Sequence, residues 1–208
     1  MLVLASASPR RSELLTQAGY RFRVHPAHIS EDPLTGADPI AYVTRLAREK
    51  AEAVYLELTR ELTASDSQEL SRDSESGLAV LGADTTVTLD NMILGKPADA
   101  ADAARMLRLL SGRTHRVMTG VAVVTAESVE VAAEVTAVRF LTLSDAEIAD
   151  YVASGEPMDK AGAYAIQGRA ARWIPRIEGC YFNVVGLPLA LVSAMLEATG
   201  LELGNYQE

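Results

Sequence analysis

The sequence is poor in three features that mark familiar protein classes: cysteine, basic residues and long apolar runs. One cysteine, Cys180, stands among 208 residues, which excludes an internal disulfide and a cysteine-rich metal site. The chain has 19 Lys and Arg against 28 Asp and Glu, a net charge of −9. This acidity argues against a nucleic-acid polymer as partner, because such proteins usually carry a basic face. No apolar run approaches the ~20 residues needed to cross a bilayer.

No targeting segment is evident either. The apolar start, residues 2–5, follows no basic residue and is too short for the core of a signal peptide. Together with the single cysteine, this predicts a soluble cytoplasmic protein without a membrane partner. A length of 208 residues suits one domain of two joined lobes.

Several familiar catalytic motifs are also missing. The chain has no G-x-x-x-x-G-K-[ST] loop, no G-x-G-x-x-G after a strand and no H-E-x-x-H pair. Its three histidines, His25, His28 and His115, do not have metal-ligand spacing. Cys180 lacks an obvious histidine and base arrangement, so we interpret it as a packed thiol.

Apolar strand-like segments alternate with amphipathic helical segments, which predicts an α/β fold with a mixed central sheet flanked by helices. The predicted strands cover residues 2–5, 22–24, 78–83, 87–89, 114–126, 129–141 and 171–177. The predicted helices begin near Pro9, Pro39, Asp99 or Asp102, Ser144 and Pro188. The polar segment 63–77 is predicted to be a surface insertion.

The first predicted strand–helix junction carries an unusual pair of arginines. Ser8 occupies the cap position, Pro9 the first helical position, and Arg10 and Arg11 follow directly. Serine hydroxyls, free N–H groups and two guanidiniums would form an anion cradle. Alternatively, the arginines point into solvent or pair with Glu13.

Three further residues could serve such an anion site. Asp84 follows the buried strand 78–83, where a carboxylate can hold a divalent cation or act as a general base, or simply form a turn. Lys50 lies within the apolar arc of the second helix, formed by Ile40, Val43, Leu46, Ala47 and Val54. It either extends along the edge of that arc or reaches a polar pocket. Lys96, held extended by the following proline, could contact phosphate or solvent.

The segment 155–168 combines glycines, the charged pair Asp159–Lys160, Tyr164 and Gln167. Gln167 could both donate to and accept from a base edge, whereas Tyr164 is expected in the core. In the early loop, Glu31 and Asp32 are further carboxylates available to a metal.

Taken together, these segments resemble the Maf family of nucleoside triphosphate pyrophosphatases. The resemblance follows family order along nearly the whole chain. The matching segments are SASPRR (6–11), LAREKA (46–51), GADT (82–85), GKP (95–97), SG (111–112) with TG (119–120), GEPMDKAGAYAIQG (155–168) and VGLPL (185–189).

The resemblance implies a fold like that of the inosine triphosphate pyrophosphatases, with a cleft between two lobes. It also implies hydrolysis between the α- and β-phosphates with Mg²⁺ or Mn²⁺. By this resemblance, Asp84 matches the family's catalytic base. Asp84 and Glu31 both match carboxylates that the family associates with the metal. Residues resembling the substrate contacts are Ser6, Arg10, Arg11, Lys50, Thr85, Lys96, Lys160 and Gln167.

Within the family, Arg10, Thr85 and Gln167 match positions tied to the choice of dTTP and UTP. The chain is therefore expected to act on these nucleotides, and modified pyrimidine triphosphates stay open as substrates. Thr86 departs from the family, which usually has an apolar residue there. The alternative hypothesis is a nucleotide-binding regulator of septum formation without significant turnover. A homodimer is left open.

Overall fold

The computed structural model describes residues 1–30, 38–65 and 77–200, which form one mixed sheet covered by helices on both faces. The strands are β1 (Leu2–Leu4), β2 (Phe22–Val24), β3 (Ala79–Leu89), β4 (Met92–Leu94), β5 (Thr114–Val124), β6 (Val129–Arg139) and β7 (Arg176–Glu178). The helices are α1 (Pro9–Gln17), α2 (Pro39–Ser65), α3 (Ala100–Leu110), α4 (Asp145–Ala153), α5 (Tyr181–Val185) and α6 (Leu189–Ala198). Short 3₁₀ helices occupy Glu156–Asp159, Ala161–Ala163 and Arg169–Trp173.

The strand order is β2-β1-β3-β5-β6-β7, with β4 pairing separately with β3. The first three strands in this order run parallel, and the pairs β3–β5, β5–β6, β6–β7 and β3–β4 are antiparallel. The mixed α/β sheet predicted from the sequence is therefore confirmed. None of the helices described is long and apolar enough to span a membrane.

Strand β3 is continuous through Asp84, so the prediction that a strand ends at residue 83 is wrong. One edge of β3 pairs with β5 from Val80 to Thr88, and this ladder carries the polar residues of the strand. Along its other edge, β1 pairs as far as Leu81 and β4 pairs from Val87. Residues 82–86 therefore lie at a gap between β1 and β4, and the chain that leaves β1 enters α1 beside this gap.

Helix α2 packs against the sheet at two glycines. A Cβ atom on Gly82 would lie 2.1 Å from the Ala47 carbonyl oxygen, and one on Gly120 would lie 2.3 Å from the Val43 carbonyl oxygen. Because these neighbours are helix backbone, neither glycine can gain a side chain without displacing the helix. The close approach fixes the height of α2, and of Lys50, above β3.

The two faces of β3 follow the alternation of a strand. Val80 faces α2 in a cluster with Ala47, Ala51 and Val54. Leu81 on the other face packs among residues of α1 and α6. Towards the far end of the strand, α3, α4 and the 3₁₀ helices cover that second face. The gap at residues 82–86 lies between these two packed regions.

Most helix starts were predicted correctly. Asp38 accepts a hydrogen bond from the Ala41 N–H, and Asp99 accepts one from the Asp102 N–H. Ser144 and Glu147 form a reciprocal capping box, which stabilises the first turn of α4. Ser8 is the cap residue of α1 but makes no side-chain capping bond.

Three local predictions were wrong. Ile40 is 42% exposed, because it lies in the first turn of α2, before the helix reaches the sheet. The predicted strand 171–177 is interrupted: residues 171–173 belong to the 3₁₀ helix Arg169–Trp173, which buries Ala170 and Trp173, and β7 begins only at Arg176. Neither β4 nor α5 was predicted. Of the predicted insertion 63–77, residues 63–65 continue α2 and residues 66–76 lie outside the described residues.

Candidate active site

A cavity of about 630 Å³ opens at the gap in the sheet. The start of α1, the middle of β3, the turn after β4 and the segment following α4 all contribute to its wall. Nine side chains predicted as site residues line this cavity. They are Ser6, Arg10, Arg11, Lys50, Asp84, Thr85, Lys96, Lys160 and Gln167. Glu31, the remaining predicted residue, and Asp32 lie outside the described residues.

Asp84 and Lys50 form a buried ion pair at one side of the cavity. The Lys50 Nζ donates to Asp84 Oδ1 at 2.7 Å, and the two side chains are 9% and 12% exposed. Of the alternatives for Lys50, the structure shows the polar pocket. A carboxylate with one oxygen bonded to the ammonium can still accept at its second oxygen. Asp84 can therefore bind water or a cation while Lys50 holds it in place.

The two neighbouring arginines have different surroundings. Arg11 is buried, and its Nε donates to the Gly186 carbonyl oxygen at 2.8 Å. Its Nη1 donates to Ser6 Oγ at 3.1 Å and to the Ala83 carbonyl oxygen at 2.8 Å. Its Nη2 donates to Thr85 Oγ1 at 3.0 Å. This guanidinium joins α1, β3 and the loop after α5, so its first role is to shape the cavity.

Arg10 lies nearer to solvent than its neighbour. Its side chain is 28% exposed, and its Nη1 lies 3.4 Å from Asp159 Oδ2. Asp159 also accepts from Lys160 Nζ. Partial burial raises the pKa of Asp159, but hydrogen bonding and charge from Lys160, with the charge of Arg10, outweigh it and hold the pKa below its usual value. The ionised Asp159 carboxylate is thus paired with Arg10 and Lys160, two cations that could otherwise bind phosphate.

The segment after α4 forms the remaining wall through Tyr164, Ile166 and Gln167. Tyr164 is 6% exposed, as expected for a core residue, and its hydroxyl lies 2.8 Å from His115 Nε2. Burial raises the pKa of Tyr164 and lowers the pKa of His115 to about 3, so both are neutral at pH 7. Gln167 is exposed at the cavity rim, where its amide can meet a ligand.

Thr86 and Tyr42 are two of the lining residues that were not predicted as site residues. Thr86 is 2% exposed and lines the cavity next to Thr85. The two-residue repeat of a strand could have revealed it, because it shares a face with Asp84. Tyr42, the fourth residue of α2, also lines the wall. No pattern in the sequence distinguishes it from the other residues of that helix.

The donor set of the cavity suits a hydrated magnesium or manganese ion held jointly with phosphates. Among the described residues, no three His, Cys, Asp or Glu side chains form a metal cluster. Mg²⁺ commonly uses one or two carboxylates, keeps several waters and takes its other ligands from substrate phosphates. Asp84 provides such a carboxylate beside hydroxyl oxygens, so the residues present fit the ion in that form.

Comparisons with known proteins show what the chain as a whole is similar to. The profile of a family described as Maf-like protein matches residues 1–199. The dTTP/UTP pyrophosphatase of Koribacter versatilis is 51% identical over 200 residues, covering 96% of this chain and 95% of the relative. That of Geobacter sp. strain M21 is 52% identical over 206 residues, covering 98% and 97%. The Ham1 protein of Staphylococcus aureus aligns with a TM-score of 0.46 and 12% identity, covering 95% of this chain and 98% of that one.

The family profile and the relatives cover nearly the whole chain, and all nine predicted site residues that the structure describes line one cavity. The chain belongs to the Maf family.

Proposed function

We propose that the protein hydrolyses dTTP and UTP to the nucleoside monophosphate and pyrophosphate. The observation that carries the proposal is the buried Asp84 carboxylate at a cavity lined by five cationic side chains, in a chain of net charge −9. These cations are Arg10, Arg11, Lys50, Lys96 and Lys160. The relatives named dTTP/UTP pyrophosphatase, about half identical over nearly the full chain, support the same activity and substrates.

The residues suggest a division of labour during hydrolysis. A water oxygen attacks the α-phosphorus and forms a new P–O bond, while its proton passes to Asp84. The bond from the α-phosphorus to the bridging oxygen breaks, and this oxygen leaves with pyrophosphate. Lys96, Lys160 and Arg10, which line the same cavity, would neutralise the charge on the leaving group. Lys50 orients the carboxylate through its bond to Oδ1.

We propose Mg²⁺ or Mn²⁺ as the cofactor, held by Asp84, by Glu31 and by phosphate oxygens. When bound, the ion neutralises phosphate charge and polarises the P–O bonds. Removal of divalent ions with a chelator is expected to stop turnover, and addition of either metal should restore it. Turnover that persists in the chelator would contradict this cofactor.

Pyrophosphate release from a panel of triphosphates tests the function. With Mg²⁺ or Mn²⁺, wild type should act on dTTP and UTP in preference to dCTP, dATP and dGTP. Asp84→Asn, which keeps an acceptor for Lys50, should lower kcat by a factor of at least about 100. It should still bind a non-hydrolysable dTTP analogue. Binding by wild type without turnover would favour the nucleotide-binding regulator instead.

The cellular setting forms part of the proposal. A single cysteine suits a reducing compartment, and we place the enzyme in the cytoplasm, where nucleotides are made. Fractionation of cells with an antibody to the native protein would test this. A homodimer stays a prediction, which light scattering of the purified protein would decide.

A further inference from the structure

Thr86 has a buried hydroxyl that the fold does not use. The residue is 2% exposed, and its Oγ1 has no hydrogen-bond partner among the described residues. Buried hydroxyls are nearly always hydrogen-bonded, because leaving one unpaired is costly. Since Thr86 lines the cavity, rotation about its Cα–Cβ bond would bring the buried hydroxyl to a partner among the molecules that fill the cavity.

The position of Thr86 on β3 relates it to Asp84. Successive side chains of a strand alternate between faces, so Asp84 and Thr86 lie on the same face, about 6.5 Å apart along the strand. One water molecule, at about 2.8 Å from each partner, bridges oxygens up to about 5.5 Å apart, a distance that side chains converging from these two backbone positions can reach. Lys50 already donates to Asp84 Oδ1, which leaves Oδ2 as the acceptor available to such a water.

The intervening residue has a different environment. Thr85 Oγ1 accepts from Arg11 at 3.0 Å and lies 2.9 Å from Thr119 Oγ1. Its hydroxyl is therefore occupied within the protein, on the face that also holds the guanidinium. The two neighbouring threonines thus differ. The Thr85 hydroxyl is paired with protein groups, whereas the Thr86 hydroxyl has no partner among the described residues.

We infer that Thr86 positions the attacking water for Asp84. This role rests on the proposed pyrophosphatase function and is particular to this chain, because the family it resembles usually has an apolar residue at this position. The Thr86 hydroxyl and Asp84 Oδ2 hold one water between them, with a lone pair directed at the α-phosphorus. As the new P–O bond forms and the bond to the pyrophosphate oxygen breaks, the water's proton passes to Asp84. Thr86 exchanges no proton, and so it is a positioning residue.

Three variants separate this role from a structural one. Thr86→Val removes the hydroxyl at nearly constant volume, and Thr86→Ser keeps it. Thr88→Val is the matched control, since Thr88 is the next residue on the same face, is 5% exposed and lies outside the cavity lining. Each protein is assayed for pyrophosphate release from dTTP, for binding of a non-hydrolysable dTTP analogue and for thermal unfolding.

Thr86→Val is expected to lower kcat about tenfold, the effect of one lost hydrogen bond in the transition state, with KM and analogue affinity unchanged. Its Tm should not fall below that of wild type, because the fold makes no bond to the hydroxyl. Thr86→Ser should restore most of kcat, and Thr88→Val should keep it.

Other outcomes would overturn the inference. Retention of kcat by Thr86→Val would show that the hydroxyl does not act on the water. A rise in KM with kcat intact would assign the hydroxyl to substrate binding. A lower Tm, with activity lost only in proportion to the unfolded protein, would assign the hydroxyl to the stability of the fold. Absence of turnover in wild type would instead overturn the proposed function, and this role with it.

Discussion

Lys50 Nζ lies 2.7 Å from Asp84 Oδ1, in a buried contact that joins helix α2 to the central strand β3. The two residues are 34 positions apart in sequence, and the helix that carries Lys50 lies directly on the glycines of the sheet. The pair therefore serves the fold and the site together. Stability and activity should respond differently when one or both of its members are removed.

Removal of one partner should be costly. Lys50→Met leaves the Asp84 carboxylate buried without its counter-charge, which is expected to cost about 3–5 kcal/mol of unfolding free energy at neutral pH. The double variant Lys50→Met/Asp84→Leu should recover most of that loss, because two apolar side chains can fill the site. Both proteins should lack turnover. Urea unfolding and pyrophosphate release measure the two effects, and a double variant as unstable as the single one would contradict the interpretation.

The two arginines of α1 should differ when each is replaced by lysine. Arg11→Lys loses the planar fork that donates to Ala83, Gly186 and Thr85, and is expected to cost about 3 kcal/mol of stability. Arg10→Lys should cost less than about 1 kcal/mol, because its ion pair is partly exposed, and should chiefly raise KM. Denaturant titration and steady-state kinetics of both variants test this contrast. Equal stability losses would refute it.

Asp159→Asn should improve substrate binding. The variant releases Arg10 and Lys160 from a carboxylate that competes with phosphate, so KM for dTTP should fall about two- to tenfold. Because the pKa of Asp159 is held below its usual value, the carboxylate is ionised throughout pH 6–9 and the improvement should be constant there. Asp150→Asn is the control, since Asp150 pairs with Arg169 at the surface, away from the cavity lining. A raised KM in Asp159→Asn would instead make the carboxylate part of the binding site.

Acid should destabilise the protein through His115. Burial lowers its pKa to about 3, whereas an unfolded histidine titrates near 6.5. Below pH 6.5 the unfolded state binds a proton that the native state does not. Stability should therefore fall by up to about 1.4 kcal/mol per pH unit as the pH drops from about 6 towards 3.

The variant His115→Leu isolates this contribution. Its free energy of unfolding should depend less steeply on pH between 5 and 6.5, where few carboxylates titrate, than that of wild type. His28→Gln, at an exposed position, serves as the control and should keep the wild-type slope. Urea midpoints measured across this range give both slopes. Identical slopes for wild type and His115→Leu would mean that the imidazole binds protons equally in the native and unfolded states, which would contradict the interpretation.

Elements of the fold that depend on neighbouring residues were predicted correctly from the sequence. The Asp38 and Ser144 caps depend on residues three positions away, and both were predicted correctly. Strand β3 was misread because Asp84-Thr85-Thr86 has the polarity of a strand end, whereas pairing with β5 keeps it extended. The extent of β3 is therefore set by its pairing with β5, which is distant in sequence and cannot be inferred from the residues of β3 alone.

The site shows the same limit. The residue types around the cavity were predicted, yet the roles of the two arginines were not distinguished. Arg11 is held by the backbone carbonyls of Ala83 and Gly186, and backbone acceptors leave no mark on sequence composition. The Asp159 contact with Arg10 joins positions 149 apart and was likewise invisible.

The seating of α2 on Gly82 and Gly120 has a practical consequence for changing the enzyme's preferred nucleotide. Because the backbone of α2 touches the sheet at these glycines, a larger residue there would displace the helix and move Lys50 away from Asp84. That displacement would lower the rate of hydrolysis. Libraries that aim at a new base are better confined to residues 165–167 of the cavity lining, which leaves the buried Tyr164 unchanged. There, side chains can be exchanged without moving the groups that break the phosphoanhydride.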